Sequence, residues 1–106
     1  MAVATRVTDL ARGAFIGSYA GTTAAQNIHI GFKPAAILAF NRTDGDTCWF
    51  WTKALATQAY TIVALTAIQS STVAGVDNGT VIGFSLPSDA VINENAKTYD
   101  FIAWPE

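Results

Sequence analysis

Residues 35–51 read Ala-Ala-Ile-Leu-Ala-Phe, then Asn41-Arg42-Thr43-Asp44-Gly45-Asp46, then Thr-Cys48-Trp49-Phe50-Trp51. Two apolar runs flank one polar knot. The first run is too short for a helix and follows Gly31 and Pro34. In an extended chain neighbouring side chains point to opposite faces, so Cys48 and Phe50 share one face and Trp49 and Trp51 the other. Asp44-Gly45 supplies the positive-φ position that a hairpin turn needs. The stretch therefore reads as a β-hairpin that is apolar on both faces. One face serves the core, and the other must be covered by a second sheet or another chain. Cys48 and Phe50, the smaller pair, are expected in the tight interior. Trp49 and Trp51 are then expected on a covered outer face, as interface residues.

Composition points the same way. The chain has 106 residues, enough for one domain with a modest core. Only 13 % of them are charged, about half the ~25 % of an ordinary soluble domain. A small domain normally covers its large relative surface with charge. Here Thr, Ser, Asn and Gln must solvate the surface, or part of it is hidden in an assembly. The formal charge is −2 with no basic block, which argues against a nucleic-acid partner, since phosphate contacts need clustered Lys and Arg. A single cysteine, Cys48, excludes an internal disulfide. The N-terminal residues lack the unbroken apolar core of a secretory signal. Residues 54–76 are uncharged and long enough to span a bilayer, but eight Thr, Ser and Gln residues make insertion costly, so no membrane is expected.

Taken in order, residues 2–8 alternate weakly and residues 1–13 read as an arm leaving the domain. Strands are expected at 14–19, 26–30, 35–40, 48–51, 60–68, 80–86, 91–92 and 98–104. Residues 31–34 form a corner at Pro34, and 54–56 suit a helical turn. Asp77-Asn78-Gly79 is the strongest turn signal. The two Asn-x-Thr sequons, at Asn41 and Asn78, read as turns rather than glycan sites. About eight short strands at this spacing predict a single-domain, all-β antiparallel sandwich of jelly-roll or immunoglobulin-like type, covering residues 1–106.

Gly31-Phe32-Lys33-Pro34, the apolar strand ending in Asn41-Arg42 and the aromatic pair with Trp49 resemble a small β domain of tailed-phage virion proteins. So do Gly83-Phe84-Ser85-Leu86, residues 91–95, Lys97-Thr98-Tyr99 and Ala103-Trp104. The resemblance spans residues 14–104. It implies a structural module without catalytic residues, found in tail fibres, tail-associated proteins or capsid surfaces. Fibre proteins carry the domain inside a longer chain. Standing alone therefore implies a head decoration (cement) protein, made in the host cytoplasm and placed on the virion capsid surface. By analogy it would be a homotrimer bound to the major capsid protein, with an N-terminal arm around Arg6 adding contacts. The alternative is a carbohydrate-binding adhesin or tail-fibre receptor-binding module.

The residues offer little chemistry. His29 and Cys48 are each the only one of their kind and lie in different strands, whereas a nucleophile pair needs adjacency and an orienting group. Neither has the partners for zinc. Residues 41–46 offer oxygen ligands but lack the full calcium-loop spacing, so they read as a plain Asx-rich turn. No enzyme, metal or cofactor is expected. Trp49, Trp51 and Trp104 could stack a sugar, yet burial in a core or interface suits them better, because aromatics bury much area with few rotors.

Overall fold

The alternation in residues 35–51 produces the expected hairpin. The computed structural model describes residues 2–3, 5–9, 13–45, 47–55, 59–61 and 73–106, with side chains from Gly13 onward except that of Thr61. In it β5 (Pro34–Asn41) and β6 (Cys48–Thr52) pair antiparallel, with Ala39 opposite Trp49 and Ile37 opposite Trp51. Before them come β1 (Ala2–Val3), β2 (Thr5–Asp9), β3 (Phe15–Ala20) and β4 (Gln26–His29). After them come a 3-10 turn (Lys53–Leu55), β7 (Tyr60–Thr61), β8 (Ala74–Asp77), β9 (Ile82–Leu86) and β10 (Thr98–Pro105).

These strands make two sheets. One has the order β1-β4-β9-β8 and the other β2-β3-β10-β5-β6-β7. All pairings are antiparallel except β1 on β4. The fold is thus the all-β sandwich expected from the sequence. Its core is largely aromatic. Phe84 from the smaller sheet meets Phe101 edge-on at 5.4 Å and Tyr19 at 6.4 Å, both from the larger sheet. Tyr19 and Tyr99 stack at 4.9 Å, and Phe15 stacks on Phe101 at 5.6 Å.

The inward parity of the larger sheet is set by β10. Tyr99, Phe101 and Ala103 are buried, which leaves Asp100, Ile102 and Trp104 on the outside. Register then carries that parity across the sheet, because directly paired residues share a face. Asp100 is opposite Phe40, and Phe40 is opposite Cys48.

This parity corrects the expected faces of β6. Trp49 and Trp51 point into the sandwich, 0 % and 3 % exposed, while Cys48 and Phe50 lie half-buried outside. A small side chain across the ladder makes room for one of the two indoles: Trp49 lies opposite Ala39. Polar satisfaction completes the fit. Trp49 Nε1 donates to Tyr19 Oη at 3.2 Å, and Tyr19 in turn donates to the Ile92 carbonyl at 2.7 Å.

Two further expectations change. Of the arm expected over residues 1–13, the described residues 2–3 and 5–9 lie in the sheets: β1 extends the smaller one and β2 pairs with β3 at the edge of the larger. Residues 91–92 form a turn rather than a strand, because Asp89 captures the backbone there. Its Oδ1 accepts from Val91 N at 2.7 Å and its carbonyl from Asn93 N at 3.0 Å. Of the strand expected over 60–68, Tyr60–Thr61 is present; residues 62–68 lie outside the described residues.

Candidate functional site

With its aromatic core closed, the larger sheet still presents an apolar outer face. One row runs across five strands in direct register: Ile16 on β3, Ile102 on β10, Leu38 on β5, Phe50 on β6 and Tyr60 on β7. All five are at least partly exposed, and Phe50 stacks on Tyr60 at 6.2 Å. The next row holds Ser18, Asp100, Phe40 and Cys48. On the other side of the apolar row stands Trp104, opposite Ala36. Leu38, Phe40 and Trp104 are 37 %, 46 % and 42 % exposed, three of the four large apolar side chains in that state among the described residues. Alternating strands normally place polar side chains on a solvated face; here the face reads like a second core surface.

The face is contoured and nearly free of net charge. Beside Phe40 the sheet sinks into a hollow of about 510 Å³ over Ile16, Ser18, Leu38, Asp100 and Ile102. Arg42 closes one end of it, its Nε 3.2 Å from Asp100 Oδ2. At the strand ends Lys97 pairs with Asp44 at 3.2 Å and Lys53 with Glu106 at 3.1 Å. The thiol of Cys48, on the same face, is pushed up from its ordinary value by burial, so it is a poorer nucleophile than a free thiol.

The remaining candidates from the sequence have structural work. His29 lies in the smaller sheet and Cys48 in the larger, so they form no pair; His29 Nδ1 accepts a hydrogen bond from Ile82 N at 3.1 Å. Asn41 and Asp44 build the hairpin turn. Asn41 Oδ1 accepts from Asp44 N at 3.0 Å, and Asp44 is held by Asn41 Nδ2 and Lys97. Among the described residues no group of three His, Cys, Asp or Glu side chains could hold a metal. No helix among them is long and apolar enough to cross a membrane. The first sequon starts at the last residue of β5, Asn41, buried at 1 %, and runs into the turn; in the second, Asn78 Oδ1 accepts from Thr80 N and Val81 N. Arg6 lies in β2, in register with Gly17.

The face itself, made of Leu38, Phe40, Ile102 and Trp104, was not singled out by the sequence reading. The signal that would have found it is Asp100. It is the one charged residue inside β10, and once β10 is registered against β5 it marks that face as the outer one. Comparison with family models, with curated proteins and with solved structures finds no match to this chain.

Proposed function

We propose that the chain is a structural protein of a tailed-phage virion, a capsid decoration protein that binds the outer capsid surface and stabilises the head. The observation that carries this reading is the exposed apolar face built around Leu38, Phe40 and Trp104. An assembly protein needs such a face, because apolar burial drives association and monomers seldom expose a large contiguous apolar patch. The resemblance of Gly31-Phe32-Lys33-Pro34 and of the ending Tyr99 to Trp104 supports the virion setting. The first of these segments forms the crossover from β4 to β5, and the second forms β10. The role is mechanical rather than catalytic: the protein, as a homo-oligomer, bridges neighbouring capsid subunits and raises the free energy needed to separate them.

The glycan-binding alternative needs aromatic residues and the loop at residues 41–46 to hold a sugar, and two of the three tryptophans, Trp49 and Trp51, lie inside the core. A direct test uses antibody raised against the purified chain. Immunogold on gradient-purified particles from the source culture should label capsid shells. Label confined to tail tips, or particles free of the chain, would rule the decoration reading out. Specific binding on a glycan array by the isolated chain would favour the adhesin.

A further inference from the structure

We infer that the outer face of the six-stranded sheet is a self-association surface, covered by a second copy of this chain lying sheet against sheet. The inference deepens the assembly reading above and rests on it only in expecting association.

Three observations select a second copy as the occupant. The first is charge. Among the residues whose side chains are described, the charges on and bordering the face are paired in opposite sign: Arg42 with Asp100, Lys97 with Asp44, Lys53 with Glu106. A face that is neutral pair by pair can meet itself without repulsion, whereas like charges brought together at an interface cost several kcal/mol. It offers neither a cationic surface for nucleic acid nor unpaired charge to steer an oppositely charged protein.

The second is relief. Trp104 is exposed on the face that also contains the hollow, which exposed Phe40 walls together with Ile16, Ser18 and Ile102. Knob and hole on one surface are the requirement for an isologous contact, in which each copy fills the other. Aromatic anchors seated in pockets are also the side chains that dominate interface energies.

The third is size. The longest strands of this sheet, β5 and β10, have eight residues each. With strands about 4.8 Å apart and a rise of about 3.3 Å per residue, strands of five, six, eight, eight, five and two residues cover roughly 540 Å². Stable interfaces bury about 600–1,000 Å² on each partner, so the strands alone supply most of what the smallest of them need.

The test is sedimentation equilibrium on the full chain, with Phe40→Asp and Leu38→Asp as interface variants. Val91→Asp is the control, because Val91 is 42 % exposed but lies in the turn after β9. The wild type and the control should sediment at a multiple of 11.2 kDa. Each interface variant should associate at least about ten-fold more weakly, the loss expected for a central anchor, with an unchanged circular dichroism spectrum. Trp104 provides a second readout that needs no substitution: its fluorescence should become protected from iodide quenching as wild-type concentration rises. A wild type that stays monomeric up to about 100 µM, where even weak specific pairs form, overturns the inference. So does a Phe40→Asp variant that associates like wild type, or quenching independent of concentration. Particle attachment separates this inference from the virion reading: a wild-type chain that attaches to capsids as a monomer overturns the face and leaves capsid decoration standing without the homo-oligomer.

Discussion

At the scale of single residues, Trp49 and Tyr19 form a buried polar link that runs from the larger sheet to the Ile92 carbonyl in the turn after β9. Trp49 is fully buried, donates to Tyr19, and sits opposite Ala39. Truncating it opens a cavity and leaves a hydroxyl short of one partner. Trp49→Ala should therefore cost about 3–5 kcal/mol in a urea melt. Phe50→Ala, on the half-exposed outer face, should cost clearly less, and an equal loss would mean the outer face is part of the protomer core. Tyr19 adds a pH dependence. Burial raises its phenol well above the ordinary value, the stacked Tyr99 adds to this, and the Trp49 hydrogen bond opposes it. The unfolded chain then loses this proton at a lower pH than the folded one. Stability from this group is fully present below about pH 10, the unfolded value, and falls as pH rises above it. Ultraviolet titration should show Tyr19 ionising only as the protein unfolds. Tyr19→Phe should remove that late step while itself costing about 1–3 kcal/mol, since the Ile92 carbonyl loses its donor.

At the scale of elements, the loops are held by buried amides as much as by turn propensity. Asn93 is 0 % exposed and uses both ends of its side chain. Its Oδ1 accepts from Thr22 N at 3.0 Å and Gln26 Nε2 at 2.8 Å; its Nδ2 donates to the carbonyls of Ala24 at 2.7 Å and Pro87 at 3.0 Å. It clamps the β3–β4 connection onto the segment after β9. The close approach extends to Gly21, where an added Cβ would run into the backbone of Glu94. Asn93→Ala orphans several buried groups at once. It should cost at least about 2 kcal/mol, and hydrogen exchange should rise at Thr22 and Asn95, whose amides lie in the clamp, before it rises in β10. Uniform loss of protection across the sheets would show that the clamp belongs to the global unfolding unit instead.

At the scale of the whole molecule, the last strand is the central one. β10 lies between β3 and β5, bonded to both. Neither flank of the larger sheet can reach the other without it. Deleting residues 98–106 should therefore abolish the folded state rather than trim an edge, seen as loss of the near-ultraviolet signal from the packed tyrosines and tryptophans. A cooperative melt in the truncated chain would refute the central role. Pairings this distant in sequence also place folding in the millisecond-to-second range typical of β sandwiches.

Period-two alternation, Gly45 and the Asp77–Gly79 turn made the hairpin and the two-sheet class legible directly from the residues, because those signals are local. The doubly apolar strand was legible too, and with it the expectation that something covers the second face. Which face is inside was not. Cys48-Trp49-Phe50-Trp51 is apolar on both parities, so hydrophobicity alone cannot choose between them, and size favoured the wrong pair. The choice is made by register. Asp100 must stay in water, Phe40 is its neighbour across the ladder, and Cys48 is the neighbour of Phe40. That chain of pairings links residues more than fifty positions apart and exists only once β10 has docked. The sequence by itself determined the elements and the excess of apolar surface; the tertiary structure decided that Trp49 and Trp51 build the core while Leu38, Phe40 and Trp104 face outward.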